Sequence, residues 1–187
     1  MKIIFKYVIT CCLVLCFVSV KSQEQKVSSQ NTFIEIQVSG NQIKESVSIS
    51  GDLNNSKQNV TALIFPDGNS GQYKLTELTF LDASQEISVQ IIVPAQKGLI
   101  ELKEGNPKYK LNINVGDISL KAQSVSVTIE EVVIDKIMKM KASYIKGSFE
   151  GIAIHKFTEN GKQITEPYMV SGNFQFTSPR YKPKNKK

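Results

Sequence analysis

The stretch "I-K-G-S-F-E-G-I-A-I-H-K-F-T-E-N-G-K-Q-I-T-E-P-Y-M-V-S-G-N-F-Q-F", residues 145 to 176, decides the fold. Asn160-Gly161 supplies two positive-φ positions for a type I′ turn, the tightest link between antiparallel strands. With those two residues in the loop, Glu159 faces Lys162, and outward from there Phe157 meets Ile164, His155 meets Glu166, Phe149 meets Gly172 and Gly147 meets Phe174. Each glycine of the echoing phrases "K-G-S-F" and "S-G-N-F" then lies under a ring of the other strand, which fills the gap that a strand glycine leaves. Pro167 falls opposite Ile154 on a non-hydrogen-bonded pair, where its missing N–H is tolerated at a sheet edge. A bulge at Glu166-Pro167 would instead set Phe149 against Asn173 and send one apolar row to water. Burying a Phe or a Val is worth about 1.5 to 3 kcal/mol, so the unslipped register is expected, with Ser148, Glu150, Ser171, Asn173 and Gln175 outward.

The same period of two runs through most of the chain. Ile87, Val89, Ile91 and Val93 alternate with polar neighbours, as do Tyr109, Leu111, Ile113 and Val115, and Val125, Val127 and Ile129. Such alternation marks half-buried strands with one face to a core and one to water. Further strands are expected over 32–38, 43–50, 59–65, 73–80, 99–103, 132–141, 145–157 and 164–176. Turn signals separate them, among them "P-D-G-N-S-G" at 66–71, "P-A-Q-K-G" at 94–98 and "E-G-N-P" at 104–107. No segment carries a capped 3.6-residue period. About ten short strands predict an all-β, two-sheet antiparallel β-sandwich, with a closed β-barrel around a ligand cavity as the alternative.

The first 22 residues have the form of a secretory signal: Lys2 and Lys6, an apolar run from Tyr7 to Val20, then Val20 and Ser22 before a cut at Gln23. That run is shorter than the ~18 to 20 residues that span a bilayer, so no transmembrane segment is expected after cleavage. Cys16 follows Leu15 rather than small residues, so a lipid anchor is not expected. The protein is expected to be secreted or periplasmic. Residues 23–31 read as a disordered lead-in, 32–177 as one domain, and 178–187 as a basic disordered tail.

Cys11, Cys12 and Cys16 all lie in the signal, which leaves the mature chain without disulfide, thiolate metal site or Cys nucleophile. The formal charge of +6 includes Lys2, Lys6 and Lys21, so the mature chain has 20 basic and 17 acidic groups. Five of the 20 sit in "P-R-Y-K-P-K-N-K-K", residues 179–187, leaving 15 against 17 in the body. A folded nucleic-acid surface needs a basic patch on the domain itself, so no nucleic-acid partner is expected. The tail could meet an anionic surface, and otherwise serves as a solubilising end.

The strand ending in Pro94, the phrases "I-K-G-S-F-E-G" and "V-S-G-N-F-Q-F", and the β-rich stretch between them resemble an uncharacterised family of small secreted or lipid-anchored β-sandwich proteins of Bacteroidota, over about residues 87–176. The resemblance implies fold and export and brings no catalytic residues. Ser148 and Glu150 stand here where that family usually has Thr and Ser.

Chemistry-bearing residues are sparse. His155 is the single histidine, and its register partner Glu166 makes a His–carboxylate pair that satisfies itself structurally in the absence of a G-x-S-x-G elbow. Glu130 and Glu131, adjacent in a strand, are expected on opposite faces, which bars them from acting as an acid–base pair. Asp67 and Asn69 have the offset of a calcium loop but lack its closing Glu, and a plain turn is expected. Met138 and Met140 share a strand face, as core residues do and as Cu(I) ligands could. No metal, cofactor or catalytic residue is expected. Two function classes remain: a non-catalytic binding or interaction module for an envelope or extracellular protein, and, as the alternative, a sandwich or barrel that holds a glycan or small apolar ligand. Tyr73, Tyr109, Tyr144 and Tyr168 discriminate, because a coplanar exposed row favours glycan and a buried scatter favours the interaction module.

Overall fold

A computed structural model describes residues 32–41, 44–50, 58–66, 73–135, 141–178 and 181. Ten strands follow one another: β1 (Phe33–Ser39), β2 (Lys44–Ser50), β3 (Gln58–Pro66), β4 (Tyr73–Asp82), β5 (Ile87–Pro94), β6 (Gly98–Lys103), β7 (Lys110–Val115), β8 (Ile118–Ile134), β9 (Ala142–Glu159) and β10 (Lys162–Thr177). Every pairing is antiparallel, and no helix occurs among the described residues. The fold is all-β, as the alternation requires.

The hairpin β9–β10 has the register that Asn160-Gly161 dictates. Both turn residues have positive φ, 50° and 77°, and the pairing runs without a shift from Glu159–Lys162 to Tyr144–Thr177. Phe149 opposes Gly172 and Phe174 opposes Gly147. A Cβ added at Gly172 would stand 2.6 Å from Phe149 Cζ, and one at Gly147 would stand 2.7 Å from Phe174 Cζ, so the rings occupy the space the glycines leave. Phe149, Phe174 and Phe176 are buried while Glu150 and Asn173 are exposed. Pro167 pairs with Ile154 beyond the last residue that β1 covers, Met169, and so lies on a free edge of β10 where no partner needs its N–H.

Hydrogen bonds join all ten strands in one sheet, in the order β2-β1-β10-β9-β8-β7-β5-β4-β3, with β6 beside β8. The sequence reading divides the strands between two sheets. The difference has a physical cause in β8, β9 and β10, which are 17, 18 and 16 residues long and pair with different neighbours along their lengths. The first part of β8 carries β7, and its middle carries β6. Register shifts at Ala122/Ser124, Ile129/Glu131 and Val133/Ile134 break the β8–β9 ladder, and extra residues of this kind bend a sheet. The sheet curls into a half-barrel. Its free edge returns far enough that Leu63 of β3 bridges Lys141, just before β9.

The inner surface of this curl forms one core. Ile34 and Ile36, Ile64, Leu78 and Phe80, Val89 and Ile91, Leu111 and Ile113, Val125 and Val127, and Ile145, Val170 and Phe174 are all buried in it. They come from eight strands distant in sequence, so each strand's apolar row is covered only when the whole sheet has formed.

Candidate functional site

Outward side chains of β1, β10, β9, β8 and β6 align in rungs, because antiparallel pairing sets residues side by side and strand alternation sends every second one to the same face. One rung reads Glu35, Asn173, Ser148, Thr128, Leu99. The next reads Gln37, Ser171, Glu150, Ser126, Glu101. All of these except Glu101 line a concavity of about 710 Å³ on the outer face. The single bond recorded within these two rungs joins Ser126 Oγ to Glu101 Oε1 at 2.8 Å. Among the described residues, Glu35, Ser148, Glu150, Ser171 and Asn173 have no side-chain partner.

A second concavity of about 600 Å³ adjoins the first and shares Leu99 and Thr128 with it. Here Glu131 pairs across the strands with Lys146, and Lys146 Nζ meets Glu130 Oε2 at 2.6 Å. Glu130 and Glu131 therefore line the same hollow, which corrects the expectation that they point to opposite faces. The bulge between Ile129 and Glu131 inserts one residue and breaks the strict alternation on which that expectation rests. The Glu130 hydrogen bond holds the Lys146 ammonium above its ordinary range, with the Glu130 charge adding to it. Tyr144 borders the hollow, gives its hydroxyl proton to Gln175 Oε1 at 3.2 Å, and stacks on Tyr181 with ring centroids 5.2 Å apart. Burial first, and the Glu131 charge second, raise its phenol above the usual value.

His155 and Glu166 are register partners, as the hairpin requires, yet their side chains turn elsewhere. His155 Nδ1 lies 3.0 Å from the Ser119 carbonyl oxygen, and its ring stacks on Phe157 at 5.1 Å. Glu166 Oε2 accepts the Tyr168 hydroxyl at 3.2 Å. The tyrosines do not form a row. Tyr168 is buried, Tyr109 packs partly against the core at the start of β7 with Lys108 over its ring, and Tyr144 faces outward on β9. Tyr73 begins β4. Asp67, Asn69, Met138 and Met140 lie outside the described residues, as do Ser22 and Gln23 of the expected cleavage site. Among the described residues no three His, Cys, Asp or Glu side chains converge as metal ligands.

Glu35 and Thr128 are absent from the sequence reading of the site. Their positions beside β10 and β9 come from pairings across most of the chain length, for which a sequence carries no local mark. The Glu130 bulge does leave one: apolar parity slips from Ile129 to Val132. Compared with protein families, curated proteins and solved structures, the chain matches none.

Proposed function

We propose that this chain is an exported, non-catalytic binding module of the cell envelope or extracellular space, and that it engages its partner through the outer face of β1, β10, β9, β8 and β6. The observation that carries the reading is the set of outward polar side chains lining the larger concavity without partners of their own. Unspent donors and acceptors in a concave surface are available to another molecule, and they lose less on binding than groups that must first break an internal bond. The two limbs of the curled sheet serve as the layers of a β-sandwich, with the long strands β8 to β10 running through both. The likeness to the exported Bacteroidota family and the signal-like first 22 residues support export. The scatter of Tyr109, Tyr144 and Tyr168 favours a macromolecular partner over a glycan, which would stack on an exposed aromatic row.

A photo-reactive side chain placed at Asn173, and in a second variant at Asn114 on the opposite limb, tests the reading in the producing cell. Adducts from position 173 and not from 114 are the expected result. Equal adducts from both, or none from 173, would sink the proposal. N-terminal sequencing of the exported protein should begin at Gln23, and a chain retained in the membrane from Met1 would remove the localisation.

A further inference from the structure

The outer face has a charge pattern and a spacing that narrow the partner. The residues lining the larger concavity include Glu35 and Glu150 and no lysine or arginine. Glu131 follows on the next rung, in the adjoining hollow. Three successive rungs, those of Lys146, Ser148 and Glu150 along β9, thus each carry a carboxylate: Glu131, Glu35 and Glu150. Among the described residues, the cations bordering this run are Lys146, already held by Glu130, Lys97 beside the start of β6, and Lys103 at its end, on the rung beyond Glu150. Rungs on one face repeat every second residue, about 6.8 Å, and an extended peptide repeats its own i, i+2 side chains at the same interval. Glu131, Glu35 and Glu150 lie on β8, β1 and β9, so only side chains as long as lysine or arginine also reach sideways to them. Apolar contact is offered at both margins. Leu99 is 66% exposed on β6, and Met169, 61% exposed, is paired across the hairpin with Ile152 one rung beyond Glu150.

We infer that the concave face binds an extended basic peptide segment, with cationic side chains at alternate positions meeting Glu131, Glu35 and Glu150 and apolar side chains meeting Leu99 or Met169. The inference rests on the proposed binding role of this face and adds the chemistry of its partner. A neutral glycan fits the lining less well. Its one aromatic side chain in the larger concavity is Phe149, which is buried beneath Gly172. The rungs offer carboxylates, which attract cations across the Debye length, where a sugar face would need exposed rings.

The test uses the purified protein and two fluorescent octapeptides, one alternating lysine with serine and one alternating glutamate with serine, together with a neutral oligosaccharide. Amide shifts report where each binds, and anisotropy reports affinity. The lysine peptide is expected to shift the amides of Ser148, Glu150, Ser171 and Asn173, to weaken as salt rises, and to lose about tenfold in affinity in a Glu35→Gln/Glu150→Gln variant, since each exposed ion pair is worth up to ~1 kcal/mol. Glu159→Gln at the hairpin tip should bind as the parent does. Shifts of the same amides by the oligosaccharide but not by the lysine peptide would overturn the ligand class while leaving the face as a binding site. Shifts spread equally onto Gln90 and Asn112, or an unchanged affinity in the double variant, would overturn the inference itself. Absence of any shift at this face, with no adduct from position 173 in the cell, would remove the binding role as well.

Discussion

Two polar faces of the same sheet are wired in opposite ways. On β4, β5 and β7 the outward side chains bond one another. Gln90 Nε2 gives to Glu77 Oε1 at 2.6 Å, Asn112 Nδ2 gives to Gln90 Oε1 at 2.8 Å, and Asn114 Nδ2 gives to Ser88 Oγ at 2.8 Å. On β1, β10 and β9 the side chains of Glu35, Ser148, Glu150, Ser171 and Asn173 line a hollow and have no side-chain partner. Both faces have similar residue types, the same alternation and the same antiparallel spacing, so composition does not separate them. Residue type alone does not decide it: Asn114 bonds Ser88 directly opposite on β5, whereas Asn173 and Ser148, the same pair directly opposed on β10 and β9, do not bond. The wired face adds long side chains, Gln90 and Glu77, that reach diagonally across the ~4.8 Å between strands. A face that satisfies itself contributes to stability, and one that does not keeps its donors and acceptors open to solvent or another molecule.

The contrast breaks most severely if the open face loses the core beneath it. Phe174 is buried and covers Gly147, and the outward neighbours Asn173 and Gln175 take their positions from it. Phe174→Ala is expected to cost about 3 to 5 kcal/mol in urea denaturation, because the removed ring leaves a cavity that the glycine opposite cannot fill. A loss under about 1 kcal/mol would show that the paired rings do not hold this limb together. Gly172→Ala should also destabilise, by about 1 to 3 kcal/mol, since its Cβ would press on the Phe149 ring and on the Glu35 carbonyl of the adjacent strand.

The next effect sharpens the comparison directly. Gln90→Ala removes the centre of the wired ladder and leaves the Glu77 carboxylate and the Asn112 amide without their partner, for which a cost of about 1 to 2 kcal/mol is expected. Asn173→Ala, in an equally polar strand position, should change stability by less than about 0.5 kcal/mol, as surface substitutions without a partner do. Equal costs at the two sites, measured by the same denaturation, would mean that the faces are not wired differently.

Much of this was legible from local pattern. The Asn160-Gly161 turn set all 16 pairs of the hairpin, and period-two alternation placed the strands to within a residue or two at most ends. β8 is the exception. Its apolar parity changes from Ile118, Leu120 and Ala122 to Val125, Val127 and Ile129 and then to Val132 and Ile134, so one 17-residue strand looks like separate pieces to a rule that assumes unbroken alternation. The slips coincide with the bulges. The candidate site was only half legible. Ser148, Glu150, Ser171 and Asn173 were placed outward by the hairpin, but that Glu35 joins them depends on β1 pairing with β10, some 138 residues away, and no turn or motif encodes that contact. The side-chain partners of His155 were likewise hidden, because register fixes which backbones meet and leaves rotamers to the neighbours, here Ser119 and Phe157.

The smallest effect concerns the ion pair that borders the second hollow. Lys146 and Glu130 both face the second hollow beside the Ile129/Glu131 bulge, and their hydrogen bond raises the Lys146 pKa above its ordinary value. A raised lysine contributes stability that is fully present below its unfolded value and is lost as pH climbs through the folded one, so the pair should matter at pH 9 and fade as pH rises beyond the ordinary lysine range. Both side chains are nearly half exposed, which limits the expected difference between the parent and Lys146→Met to about 0.5 kcal/mol at pH 9 and low salt. Tyr144 titrates in the same window, since burial raises its phenol and the folded state therefore also loses stability as it ionises above pH 10. Measuring the substitution in a Tyr144→Phe background removes that contribution and isolates the lysine. A difference between the two proteins that persists unchanged from pH 9 to 12 would mean that the Lys146 stem, rather than its charge, contributes the stability at this hollow.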